Sequence, residues 1–308
     1  MRTLLRRLPD PLRNRLRATR KRYRSLRYRT RERLRPVTVD GPAIEAALRE
    51  AGLEEGDAAF VQTRMSAFGT IEGGPQTVID AFGATLGSEG LIAMPAFPLD
   101  RSAIDYLRQS PLFDLRATPS KMGAVSERFR TSPGVLRSLH PTHSVCARGP
   151  GAAALVAGHE RAATPFGDGT PFAKLIERGA HQVFFGSGVG AITIYHAYEC
   201  LRESPFPIEV FFPQPLEARC IDAEGRELIV ETLVHDPSVI AERIDNNPAL
   251  ERRVRERLIA GGMHSVRLGR GEVLAQPLPD LLATFEQMLS EGATIYPPEL
   301  LAKAGARR

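Results

Sequence analysis

The sequence has no tryptophan, three cysteines and only 6% aromatic residues. It has no apolar run approaching the roughly 18 residues that a membrane-spanning helix needs. Cys146, Cys200 and Cys220 are odd in number and lack metal-like spacing. Neither a disulfide framework nor a zinc site is therefore expected, and a reducing compartment is. The N-terminus is basic but lacks the apolar core of a secretion signal, which argues against export and predicts a cytoplasmic protein. What is present, 308 residues of which 43% are hydrophobic, is the balance of an ordinary globular chain able to bury a core.

A formal net charge of +5 hides a division. Residues 1–36 carry 14 arginines and one lysine against two acids, whereas the rest holds 26 basic and 34 acidic side chains. Two parts are expected: residues 1–36 as a basic arm, partly helical or disordered, and residues 37–308 as one enzyme-sized domain. Within the arm Leu12, Leu16, Thr19, Tyr23, Leu26, Thr30 and Leu34 recur at three- or four-residue steps. That spacing gives a cationic helix a weak apolar stripe, bounded by Pro11 and Pro36. Such a stripe suits an anionic membrane surface at the inner face of the membrane. Nucleic acid suits it less, because only Tyr23 and Tyr28 offer stacking rings.

Beyond the arm, helix and strand signals alternate. PAIEAALREAG (42–52) reads as a helix and AAFVQT (58–63) as a buried strand. GPQTVIDAFGATLG (74–87) reads as a helix with Pro75 in its first turn; LIAMPAF (91–97) and HQVFFG (181–186) read as strands. Strands separated by helices predict an α/β fold with a mixed, largely parallel central sheet flanked by helices. FPIEVFF and RELIVETLV, within 206–235, look like antiparallel strands with turns.

Three stretches could carry chemistry. In SAFGTIEGGPQT (66–77), Gly73 and Gly74 directly precede a helix start, where free N–H groups suit an anion, but on these residues alone a plain tight turn is the favoured reading. In RSLHPTHSVCARG (137–149), His143 and Cys146 could pair as base and thiolate, but the run reads as extended chain around a cysteine of the kind usually buried. In GSGVGAITIYHAYEC (186–200), glycines turn the chain from a strand into a helix expected to begin near Ile192. His196 and Glu199 then share one helix face, as a base and its carboxylate or as an ordinary polar pair.

Taken together, these stretches are similar to one family. QTRMSAFGTIEGGPQTVIDAF (62–82) resembles a family block HSSLSxxGxxxGGxxTVIxAL, and GLIAMPAF (90–97) resembles GTLVMPTF. RSLHPTHSVCARG resembles RSxHPxxSxxAxG, PFGDGTPFAKLIERG (165–179) resembles PxGxxSPxxxLxxxG, and TIYHAYE resembles TxxHLAE. These are blocks of the aminoglycoside 3-N-acetyltransferases, which are distinct from the GNAT acetyltransferases. The resemblance covers about residues 45–200 and leaves the arm outside.

The resemblance implies transfer of an acetyl group from acetyl-coenzyme A to an amine of an amino sugar or aminoglycoside, without a metal. It implies His196 as general base with Glu199 beside it. It places the coenzyme near Arg64, Met65, Ser66, Gly69, Gly73, Gly74 and Thr77, with Pro141 and Ser144 alongside, and the acceptor near Thr193 and Tyr198. A homodimer is compatible with it. Two departures stand out: HSS is replaced by Gln62-Thr63-Arg64, and HLAE by HAYE with Tyr198 in place of a small residue. The first keeps open an alternative of another class, a catalytically silent binding module of the same fold whose arm docks on membrane or nucleic acid.

Overall fold

A computed structural model describes Thr19, residues 36–241 and residues 243–305. The expectations for the basic arm, its membrane contact included, lie outside the described residues. Strand β1 (Thr38–Val39) leads into helix α1 (Gly41–Glu50), whose start is fixed by Asp40 accepting the Ala43 N–H at 2.9 Å, with a proline in the first turn. Next come β2 (Ala58–Thr63), β3 (Thr70–Ile71), α2 (Pro75–Leu86), β4 (Leu91–Pro95), β5 (Leu112–Asp114), β6 (Leu136–Arg137) and β7 (Val145–Arg148). They are followed by α3 (Pro171–Glu177), β8 (His181–Phe185), α4 (Tyr195–Leu201), β9 (Leu216–Ile221) and β10 (Glu227–Thr232). Helix α5 (Pro248–Ala260), β11 (His264–Leu268), β12 (Gly271–Pro277) and α6 (Leu278–Ser290) complete the main elements, with further short helices between them. No helix among the described residues is long and apolar enough to cross a membrane.

The principal sheet has seven strands in the order β11-β12-β8-β2-β4-β7-β6. It is mixed, as expected, but not largely parallel. Only β8–β2 and β2–β4 run parallel, and the pairings on both flanks are antiparallel. The cause is connectivity. Strands β6 and β7, and β11 and β12, are sequence neighbours joined by short turns, which oblige each pair to run antiparallel. Strands β5, β9 and β10 form a separate small sheet. Within it β9 and β10 pair antiparallel as their sequence suggests. The FPIEVFF stretch contributes one isolated bridge, Phe211 to His235, because the prolines at 205, 207, 213 and 215 supply no N–H to a ladder.

The principal sheet is covered on both faces, and period-2 alternation sorts its side chains. Phe60, Ala93, Ala147 and Phe184 pack with Phe172, Tyr195 and Phe285 from α3, α4 and α6. Val61, Met94, Cys146, Val183 and Phe185 pack with Leu48 of α1 and with Val78 and Phe82 of α2 on the other side. The parallel trio β8, β2 and β4 therefore ends at a common edge. The chain beyond each of those carboxyl ends opens into one cavity.

Candidate active site

The cavity measures about 700 Å³ and is lined by the end of β2 (Gln62) and the turn after it (Arg64), the chain after β4 (Phe97, Leu99) and the loop after β8 (Ser187, Gly190 to Thr193). His143, Phe166, His196, His235 and Arg243 form part of its wall. Gln62 ties two of these turns together. Its amide donates to the Ala191 carbonyl at 2.5 Å and to Thr193 Oγ1 at 3.1 Å, while Ser187 donates to the Gln62 carbonyl at 3.0 Å. A glutamine at this departure from the family block thus holds the loop that introduces α4.

Helix α4 begins at Tyr195, three residues later than the sequence suggests, after a 3-10 turn over Val189–Ala191. The later start leaves the key spacing intact. His196 Nδ1 lies 2.8 Å from Glu199 Oε2, one turn along the same face, and both side chains are buried. Glu199 Oε1 accepts the Tyr296 hydroxyl at 2.7 Å. On the other side of the ring, Arg243 Nη1 donates to His196 Nε2 at 2.5 Å. A guanidinium has no acceptor, so Nε2 carries the lone pair and the ring proton sits on Nδ1, pointing at the carboxylate. That is the tautomer a general base needs.

Burial dominates the titration of this group. It holds His196 well below the ordinary imidazole value, and the Arg243 charge adds to the effect. It pushes Glu199 up to about 8, opposed by the Tyr296 hydroxyl and the Arg243 charge, both of which favour the carboxylate. Arg243 itself is held by Asp245, with Nε to Oδ1 at 3.1 Å and Nη2 to Oδ2 at 3.3 Å. His235 packs against His196, ring centroids 4.1 Å apart, and stacks on Phe211. Its Nε2 is buried without a hydrogen-bond partner, 3.9 Å from Glu199 Oε2.

His196, Glu199 and His235 offer ligand atoms all within 4.8 Å of one another, a spacing a metal ion can accept. The chemistry of the set points elsewhere. Both Glu199 oxygens already accept hydrogen bonds, and Nε2 of His196 faces a fixed cation, Arg243. The arrangement is that of a buried base held by a carboxylate.

Of the residues expected at the site, Arg64, Thr193 and His196 line the cavity, and Glu199 stands directly behind His196. Met65 and Ser66 follow Arg64 in a 3-10 turn. Gly69 lies away from the lining, where a Cβ would meet the Val37 carbonyl oxygen at 2.4 Å. Gly73, Gly74 and Thr77 form the start of α2 and do not line the cavity either; Thr77 Oγ1 occupies the space of a Cβ on Gly73.

Three of the expected site residues, Pro141, Ser144 and Tyr198, do not line the cavity. Ser144 is fully buried, accepting from Arg137 Nε at 3.0 Å and donating to the Ala96 carbonyl at 2.9 Å, so its hydroxyl is engaged inside the fold. Pro141 is buried beside it in the chain. Tyr198 is two residues from His196 and so turns to a different side of α4, where its hydroxyl donates to Glu286 at 2.8 Å among Tyr195, Phe206 and Phe285. Cys146 projects to the face of the sheet opposite α4, and burial pushes its thiol up to about 12. Its burial there is that of a structural cysteine, as its sequence suggests, and tells against a nucleophile at this site.

Sequence reasoning missed Tyr296, Arg243 and His235. All three belong to the C-terminal third, where no family block was recognised, and only the fold brings them to α4.

Comparison with known proteins adds identity to this geometry. A family described as Aminoglycoside 3-N-acetyltransferase matches residues 60–290. The chain is 31% identical over 252 residues to Aminoglycoside N(3)-acetyltransferase IX of Micromonospora chalcea, covering 77% of this chain and 88% of that one. Its fold is similar to aminoglycoside acetyltransferase AAC(3)-Xa, with a TM-score of 0.70 at 26% identity over 82% of this chain and 93% of that one. It also shares the fold of AAC-IIIb, solved as a binary complex with coenzyme A, with a TM-score of 0.69 at 24% identity, covering 84% of this chain and 100% of that one.

Proposed function

The chain belongs to the aminoglycoside 3-N-acetyltransferase family, and on that premise we propose that it transfers an acyl group, acetyl in the simplest case, from acyl-coenzyme A directly to an amine of an amino sugar, with His196 as general base. The observation that carries this reading is the hydrogen-bonded series Tyr296–Glu199–His196, whose outer nitrogen faces the cavity at the carboxyl ends of the parallel strands. The family supplies the donor class, and the AAC-IIIb complex with coenzyme A supports it.

An ammonium has no lone pair, so the acceptor reacts as the neutral amine, its first proton lost to solvent, and it gives a second proton to His196 Nε2 as its nitrogen bonds to the thioester carbonyl carbon. Arg243 must leave Nε2 for this to happen. The imidazolium that results is stabilised through Nδ1–H by the Glu199 carboxylate. Collapse of the tetrahedral intermediate breaks the carbon–sulfur bond, and the proton held on Nε2 goes to the departing thiolate. No covalent enzyme intermediate is needed, because both substrates lie in one cavity. Arg64, exposed at the cavity rim and without an ion-pair partner among the described residues, is positioned to meet a coenzyme phosphate.

The test is free-thiol release from acetyl-coenzyme A with a panel of amino sugars, read with product mass spectrometry. His196→Ala is expected to lower transfer by roughly 10²–10⁴-fold while leaving coenzyme binding nearly unchanged. Near-wild-type turnover in that variant would sink the mechanism. Coenzyme binding without turnover on any amine would leave a silent binding module instead.

A further inference from the structure

Arg243 stands where an aminoglycoside would least want it. Its Nη1 touches the nitrogen that must take the acceptor's proton, so every acceptor amine has to come within hydrogen-bond reach of this guanidinium. Arginine stays charged at any working pH and cannot withdraw by losing a proton. The Nε and Nη2 edge is committed to Asp245, and about one fifth of the side chain is open to the cavity.

The other charges around the cavity do not reverse this. Its walls hold three arginines, Arg64, Arg101 and Arg243, of which Arg101 is paired with Asp100, against two carboxylates, Asp245 and Glu251. Asp245 is engaged by Arg243, and Glu251 accepts the Gly190 N–H at 3.3 Å. The lining histidines His143, His196 and His235 are held neutral by burial. A polycation entering this cavity finds Glu251, a carboxylate with no ion-pair partner among the described residues, but meets a fixed cation, Arg243, at the reacting atom.

From this placement we infer that the acceptor is an amine carrying an oxyanion close to the reacting nitrogen, a carboxylate or a phosphate, and that Arg243 is its specificity-determining residue. The inference rests on the acyl-transfer reading above. When the acceptor enters, Nη1 exchanges the imidazole nitrogen for the oxyanion. One movement then clamps the substrate and bares Nε2 for the attacking amine. An acceptor without an oxyanion offers Nη1 nothing in exchange, so the base stays covered.

The experiment measures kcat/KM by thiol release with full-length protein, acetyl-coenzyme A and four acceptors: glucosamine, glucosamine 6-phosphate, 2-amino-2-deoxyglucuronate and kanamycin. The uronate and the phosphate ester separate the two sources of the oxyanion. At least one of them is expected to exceed glucosamine by about tenfold or more, the worth of one charged hydrogen bond, with kanamycin lowest. Arg243→Gln is expected to lower kcat/KM for the favoured anionic acceptor by a similar factor and to raise it for kanamycin. Arg243→Lys is expected to recover part of the loss on the phosphate.

Kanamycin preferred over both anionic amines would overturn the inference and leave acyl transfer standing. So would an equal loss on all four acceptors in Arg243→Gln, which would mark a group acting on the reaction's own oxyanion. No thiol release with any amine would overturn this inference and the transferase reading together. The wild-type series decides the point even if the variants fold poorly.

Discussion

In the proposed mechanism the two nitrogens of His196 have separate tasks, and Glu199→Gln separates them. A glutamine oxygen can still accept Nδ1–H, so the tautomer survives, but the negative charge that stabilises the imidazolium is gone. Transfer is expected to fall about 10–100-fold, the usual effect of losing a group that orients and polarises a reactive one. The pH profile carries the sharper signature. A carboxyl whose pKa is pushed up to about 8 gains the negative charge that stabilises the imidazolium only as pH rises through that region. The wild-type rate should therefore climb across it. The glutamine variant does not titrate and should lose that limb; an unchanged profile would remove Glu199 from the role.

At the scale of elements, the turn from β8 into the loop before α4 is the tightest part of the site. Gly186 has φ +72°, and a Cβ there would meet Phe68 Cε2 at 2.6 Å, the Arg64 carbonyl at 2.8 Å and Ala67 Cβ at 2.9 Å. Gly186→Ala combines left-handed strain with overpacking and is expected to cost about 2–5 kcal/mol. Chemical denaturation should show a lowered midpoint at unchanged slope. Gly74 also has positive φ, +69°, but a Cβ there meets nothing within 4 Å. Its alanine variant should cost only the conformational strain, about 1–3 kcal/mol. Equal losses at the two positions would refute the distinction.

The elements around this turn were legible because their signals are local. Apolar runs ended by proline or glycine mark β2, β4 and β8, and α2 begins at Pro75 as its sequence announces. The flanking strands were misjudged because strand direction is set by how a strand is connected, not by its own residues. The same limit applies to the site. The i,i+3 spacing and the family blocks exposed His196 and Glu199. Tyr296, 97 residues from Glu199, reaches it only through packing, and no periodicity encodes such a contact.

For the whole molecule, the buried histidines govern acid stability. His140, His143, His159, His196 and His235 all have pKa values lowered mainly by burial, His159 to about 3. Unfolding returns each to about 6.5. The unfolded chain thus binds more protons below that pH, so their contribution is full above about 6.5 and is lost as pH falls toward the folded values. Glu199, raised to about 8, acts in the opposite sense: its contribution is present at low pH and fades as pH rises from about 4.5 to 8. Five groups outweigh one. Denaturant midpoints are expected to fall steadily from pH 7 to pH 4.5, and a flat profile would contradict the neutral, buried state of these rings.

The distance along the chain between Glu199 and Tyr296 also has a meaning in time. A ribosome adding roughly 5–20 residues per second needs about 5–20 seconds to travel from one to the other. Throughout that interval α4 can exist while the hydroxyl that steadies its carboxylate has not been made, and β11, β12 and α6 are still being added beside β8. The nascent chain therefore carries His196 and Glu199 well before the contact that completes their setting can form. Competence arrives as a late event of synthesis, once the segment around Tyr296 folds back against α4.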